Sequence, residues 1–316
     1  MWLTPLLIYG QQSPGAAATP PEAQSKSDAE EADALFSTET RLVPLNVTVA
    51  DKAGHLITNL PQSAFQVFEN GVLQQIKLFR REDVPVSMGL VIDNSGSMRE
   101  KRQGVESASL ALVKDSNPQD EVFIVNFNDD YYMDADFTND IKVLEQGLTK
   151  IDSRGGTAMR DAIWASIDHL KSKAKRDKKV ILVVTDGNDN ASERSLAALV
   201  RMAQEDDVLI YAIGLLSEED KREARKAQSA LNLLVESTGG QVFYPKEVSE
   251  VEKIAHQVAH DIRNQYTIAY TPGNTALDGS YRQIKVTVKA AGNPVARTRS
   301  GYYANKPKAP ATVLTR

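Results

Sequence analysis

Apolar and polar residues alternate as soon as the chain reaches Arg41: Val43, Leu45, Val47 and Val49 interleave with Pro44, Asn46, Thr48 and Ala50. That is the period of a strand with one buried face. Asp51-Lys52-Ala53-Gly54 reads as a turn, and two further strands are expected at 65–69 and 72–79, joined by Asn70-Gly71. Asn-Gly is the strongest two-residue hairpin signal because both residues tolerate positive φ. The first ordered unit is therefore antiparallel β.

Beyond Pro85 the alternation gives way to continuous apolar runs, beginning with Met88-Gly89-Leu90-Val91-Ile92 and ending in Asp93. Such runs suit strands buried on both faces. Similar runs occupy 122–127, 180–185, 208–214 and, more briefly, 241–244. Segments with helical spacing lie between and after them, at 100–114, 140–151, 158–174, 192–204, 218–236 and 249–263. Strand and helix in alternation predict an α/β fold, a doubly wound and mostly parallel sheet covered on both faces, over about 84–263.

Strand-like alternation returns at Tyr266, Ile268 and Tyr270 and at Ile284, Val286 and Val288, with a last strand expected over 295–303. No helix separates these strands, so they match the first unit better than the α/β unit. Unpaired edges on either flank would invite aggregation. The expectation is that 41–83 and 264–304 form one smaller antiparallel β-sandwich into which the α/β domain is inserted. Residues 1–40, rich in Pro, Ala, Ser, Glu and Gln over much of their length, read as a disordered segment, and 305–316 as a loose tail. Met1 to Gly10 with Ala16-Ala17-Ala18 has features of a signal-peptide remnant, although Pro5 interrupts it and no Lys or Arg precedes it; export is left open by this segment.

Composition then narrows the chemistry. The 316 residues contain no cysteine, which excludes disulfides, thiolate nucleophiles and Cys-ligated metals. A net charge of -5 lacks the cationic excess that nucleic-acid binding needs, so no nucleic acid is expected as a partner. No apolar stretch approaches the roughly 20 residues of a transmembrane helix.

Ligands of open α/β sheets bind beyond the carboxyl ends of the strands. Asp93 stands at one such end and opens Asp93-Asn94-Ser95-Gly96-Ser97; Asp186 stands at another, after Val183-Val184-Thr185; Gly155-Gly156-Thr157 places a hydroxyl just before a helix. Two carboxylates and three hydroxyls meeting at one rim would suit a hard divalent cation, Mg²⁺ or Mn²⁺ rather than zinc, with a position left for water or a partner's Asp or Glu. The Asp-x-Ser-x-Ser, Thr and Asp set resembles the metal-ion-dependent adhesion site of von Willebrand factor type A domains. The flanking Phe65-to-Gly71 hairpin and the closing Arg299-Ser300-Gly301-Tyr302-Tyr303 resemble acidobacterial-type members of that family. The resemblance implies that Ser95, Ser97 and Thr157 ligate the metal through hydroxyls and that Asp93 and Asp186 act directly or through water. It further implies a non-enzymatic adhesion or protein-binding module, secreted or in the cell envelope.

Other readings are weaker on their residues. A Mg²⁺-dependent phosphotransferase using Asp93 as nucleophile usually has an acidic residue two positions on, where this chain has Ser95. A scaffold without metal-dependent binding is the third class. No P-loop and no Gly-x-Ser-x-Gly elbow occurs. His256 and His260 share the i, i+4 spacing of a zinc-protease helix, but Gln257 stands where the general base would be. The sequons at Asn46 and Asn190 are commonplace patterns, and the mixed charges of 217–225 read as a solvated helix face.

Overall fold

The computed structural model describes residues 42–306 apart from 82, 150–152 and 217–219. The leader-like segment at 1–40 and most of the 305–316 tail lie outside the described residues. Among the described residues no helix is long and apolar enough to cross a membrane.

The continuous apolar runs form the centre of the molecule. β5 (Val86–Asp93), β6 (Glu121–Phe127) and β9 (Val208–Gly214) are buried along their whole length, and β8 (Lys178–Thr185) nearly so. With β7 (Tyr131–Thr138) and β10 (Val242–Phe243) they make a six-stranded sheet of order β10-β9-β8-β5-β6-β7, in which β7 alone is antiparallel to its neighbour. Side chains alternate across it: Met88, Leu90 and Ile92 of β5 face one way and Val91 the other. The first face packs on α1 (Arg102–Asp115), α2 (Ile141–Thr149) and α6 (Val251–Arg263), through residues such as Leu112, Leu144 and Val258. The second packs on α3 (Met159–Lys173), α4 (Leu196–Glu205) and α5 (Lys221–Thr238), through Ile163, Leu199 and Leu234. Gly89 lacks a side chain because the Phe123 ring fills that space; a Cβ there would lie 2.4 Å from the ring.

The half-buried strands come from both flanks and interleave. β1 (Val43–Ala50), β4 (Ile76–Arg80), β11 (Tyr266–Tyr270) and β13 (Val295–Arg297) form a sheet of order β13-β1-β11-β4. The other, of order β14-β12-β2-β3, comprises β2 (Phe65–Glu69), β3 (Val72–Gln74), β12 (Tyr281–Val288) and β14 (Gly301–Tyr303). One apolar cluster, including Leu45, Val47, Phe65, Val67, Tyr266 and Ile284, is shared by the two sheets. The chain leaves for the α/β unit after β4 and returns in β11, and these strands pair directly, Thr267 opposite Arg80. Asn70 and Gly71 take φ of 48° and 80°, the positive values an Asn-Gly hairpin demands.

Three details differ from the sequence expectation. The strand expected over 72–79 is divided at Gln75, with β3 in one sheet and β4 in the other, and the strand expected over 295–303 is divided in the same way between β13 and β14. At that second corner Arg299 turns inward, its guanidinium donating to the Asp207 carboxylate at 2.8 Å and the Pro44 carbonyl at 2.7 Å. Edge strand β7 has no clear apolar signature because it exposes Tyr131, Tyr132 and Met133 and carries Asp134 and Asp136.

Inside the sandwich Glu69 is 3% exposed and faces Arg282, 1% exposed, at 3.6 Å. The Tyr270 and Tyr302 hydroxyls donate to the same carboxylate at 2.7 and 3.0 Å. Burial first, and the Glu69 carboxylate second, raise the Tyr270 hydroxyl well above its ordinary pKa. Removing one member of a buried pair strands the other. Glu69→Ala should therefore lower stability to urea by about 3 kcal/mol; a loss under about 1 kcal/mol, the scale of a surface change, would show that the cluster is not a buried ionic one.

Candidate metal centre

The chain runs from β5 to β6 on one side and later places β8 on the other, so β5 and β8 flank the point where winding reverses. In open α/β sheets this is the position where loops leaving adjacent strands diverge and ligands bind. Asp93 is the last residue of β5, and Asp186 directly follows β8. Topology alone brings the two carboxylates together.

Asp93 is 2% exposed. Its Oδ1 accepts from the Ser95 amide at 2.8 Å and its Oδ2 from the Thr185 hydroxyl at 2.6 Å. Burial raises its pKa from the usual 3.8 to about 6; the Thr185 and Ser95 hydrogen bonds pull the other way, and the neighbouring Asp186 adds repulsion. Ser95 Oγ lies 3.2 Å from Ser97 Oγ, and Ser97 Oγ donates to Asp186 Oδ1 at 2.8 Å. Asp93, Ser95, Ser97 and Asp186 thus form a continuous run of touching polar groups.

Thr157 arrives from the third loop. The Gly155 carbonyl accepts from the Gly96 amide at 3.4 Å, while the Thr157 carbonyl accepts from the Asn190 and Ala191 amides at 3.1 and 3.3 Å. These bonds stitch the loop to the one after β5 and to the one after β8. Thr157 is 4% exposed, and its Oγ1 would lie 3.7 Å from a Cβ built on Gly187, the residue next to Asp186. Gly155 has φ of 74°, and a Cβ on it would strike the Asp129 carboxylate at 2.0 Å, so this position requires glycine. The donor set is oxygen only, with two carboxylates and three hydroxyls, which fits a hard dication. Among the described residues no three His, Cys, Asp or Glu side chains converge as a metal cluster, so a metal here would depend on the hydroxyls.

Several groups that support this rim fall outside the metal-site motif in the sequence. Thr185 anchors Asp93, Asp129 accepts from the Gly156 amide at 2.6 Å, and Asn190 Oδ1 accepts from the Thr157 amide at 2.9 Å. The sequon asparagine Asn190 is thereby engaged in the rim itself. Asp189 receives the Arg160 amide at 2.7 Å and its guanidinium at 2.9 Å, which fixes the start of α3 behind Thr157. Lys101 donates to Asp186 Oδ2 at 2.6 Å. His256 is engaged elsewhere: its Nδ1 contacts Asp115 and its Nε2 lies 3.9 Å from Glu252.

The state of Asp93 has a measurable consequence without metal. The folded protein holds a proton on Asp93 more tightly than the unfolded chain does, so this group favours folding most below about pH 3.8, and that contribution is lost as pH rises through about 6. Asp93→Asn keeps an acceptor for the Ser95 amide without the charge. In chelator it should be more stable than wild type by roughly 2 kcal/mol at pH 7, and the advantage should vanish near pH 4. A gain independent of pH would place the cost elsewhere.

The von Willebrand factor type A domain profile matches residues 88–257, the α/β unit with the Asp93, Thr157 and Asp186 loops. No curated protein gives a significant match. Among solved structures, the von Willebrand factor type A protein from Catenulispora acidiphila is similar over 83% of this chain and 73% of its own, at 12% identity and a TM-score of 0.50. The PilB minor pilin from Streptococcus sanguinis is similar over 58% of this chain at 15% identity and a TM-score of 0.46, and the match spans 62% of the pilin's length. BatB from Bacteroides thetaiotaomicron is similar over 56% of this chain and 98% of its own, at 18% identity and a TM-score of 0.47. With more than half of its length matched by the family profile, the chain belongs to the von Willebrand factor type A domain family.

Proposed function

We propose that this protein is a metal-dependent protein-binding module of the adhesion type, acting outside the cell or in its envelope. Von Willebrand factor type A domains are commonly interaction modules and generally not enzymes. The observation that carries the finer reading is the run of contacts from Asp93 through Ser95 and Ser97 to Asp186, at the switch point of the sheet, with Thr157 on the adjoining loop. Ser95, Ser97 and Thr157 would hold Mg²⁺ or Mn²⁺ through their hydroxyls, and Asp93 and Asp186 would balance its charge directly or through water. When bound, the cation supplies an electrophilic position for the Asp or Glu carboxylate of a partner protein. The three hydroxyls add ligands without adding negative charge, which keeps that position attractive to an acid.

The phosphotransferase alternative fares worse on the geometry. Asp93 is 2% exposed, and each of its oxygens already accepts a hydrogen bond at 2.8 Å or less. A nucleophilic carboxylate needs an accessible oxygen in line with phosphorus. The orientation here suits a fixed carboxylate that balances a cation's charge directly or through water.

A ligand that binds only the folded state raises stability by RT ln(1 + [L]/Kd), about 2.7 kcal/mol at one hundred times Kd. Millimolar Mg²⁺ should therefore raise the Tm of the native protein and leave the Asp93→Ala, Asp186→Ala double variant unmoved. Thr157→Ala should fold normally yet lose most Mg²⁺-dependent retention of partner proteins from an envelope extract. Equal Mg²⁺ responses in native and double-variant protein would refute the assignment.

A further inference from the structure

The Lys101 side chain reaches the rim from the residue preceding α1 and is a quarter exposed, while the Asp186 side chain it meets is 1% exposed. Its ammonium donates to Asp186 Oδ2 at 2.6 Å and to the Leu215 carbonyl, just past β9, at 3.2 Å. The other Asp186 oxygen receives the Ser97 hydroxyl at 2.8 Å. One carboxylate is thus divided between a hydroxyl of the candidate metal site and a cation of the protein itself. Asp93, close enough to feel the charge of Asp186, has both oxygens on neutral donors, the Ser95 amide and the Thr185 hydroxyl.

A buried carboxylate without a cation is costly, and two at one rim more so. We propose that Lys101 is the resident counter-cation of this rim: it neutralises Asp186 in the metal-free protein and opposes the metal for that carboxylate, so the strength of metal binding is set by their contest. The inference rests on the metal-site reading above. A dication on the Ser97 side of Asp186 would sit close to the ammonium on the other side, and like charges at such range repel even with partial screening. Lysine suits the role better than arginine, because a point charge on a flexible stem can swing towards water, whereas a planar fork holds a carboxylate through two bonds. The consequence is a site that takes metal weakly alone and more firmly when a partner's carboxylate brings the missing negative charge.

Mn²⁺ alone is the probe, titrated calorimetrically into wild type, Lys101→Gln and Lys101→Arg. Gln keeps a donor for the Leu215 carbonyl and removes the charge. Lys101→Gln should bind Mn²⁺ about tenfold more tightly than wild type and melt at a lower temperature in chelator, whereas Lys101→Arg should stay within about threefold of wild type. Should Lys101→Gln not fold in chelator, Lys101→Met purified with Mn²⁺ supplies the same charge comparison. Unchanged or weaker Mn²⁺ binding in the neutral variants, with wild type binding normally, would overturn the role of Lys101 and leave the metal site standing. Absence of Mn²⁺ binding in every variant and in wild type would overturn the metal site and, with it, this inference.

Discussion

Asp93 is held where a charge is least comfortable, at the end of a strand buried over its whole length, and the rim is organised around that fact. Its two oxygens recruit the Ser95 amide and the Thr185 hydroxyl. The first bond turns the chain sharply after β5, so that Ser95 and Ser97 face the loop after β8; the second ties β5 to β8 across the switch point. Hydrogen bonds offset only part of the desolvation, which is why its pKa remains raised to about 6. In the proposed reading a dication relieves the remaining cost, with the hydroxyls of Ser95 and Ser97 as neutral oxygen ligands.

The antiparallel flanks serve this rim at a distance by closing the α/β unit from behind. Departure and return of the chain occur on paired strands, β4 and β11, so the long excursion between them costs the sandwich no broken sheet. The segment from β13 to the corner before β14 then grips the inserted unit: Arg297 donates to Asp261 near the end of α6 at 3.0 Å, and Arg299 to Asp207 before β9 at 2.8 Å. These grips anchor α6 and β9 to the sandwich. The rim residues at the carboxyl edge take no part in these grips.

Much of this was legible in the sequence, for reasons that can be named. Continuous apolar runs marked β5, β6, β8 and β9 because both faces of those strands are covered, and the aspartates ending two of the runs marked the rim. Asn70-Gly71 could be read because the turn demands positive φ from both residues. Edge strand β7 could not, since a strand with an open side needs no apolar period and its exposed tyrosines and aspartates resemble a loop. The corners at Gln75 and near Arg299 escaped notice because a strand that changes sheet keeps its alternation while changing partners. Lys101 was equally hidden, as its role arises only when Asp186 and Leu215, 85 and 114 residues away, fold onto the same ammonium.

The central claim is that the three hydroxyls and two carboxylates of this rim surround one cation. Crystals grown or soaked in Mn²⁺ test it directly through the metal's anomalous scattering. The account predicts a single strong peak within about 2.0–2.3 Å of the Ser95, Ser97 and Thr157 hydroxyls, with the carboxylates of Asp93 and Asp186 bound directly or one water away. A peak elsewhere, or none at millimolar Mn²⁺ with Lys101 still seated on Asp186, would contradict it.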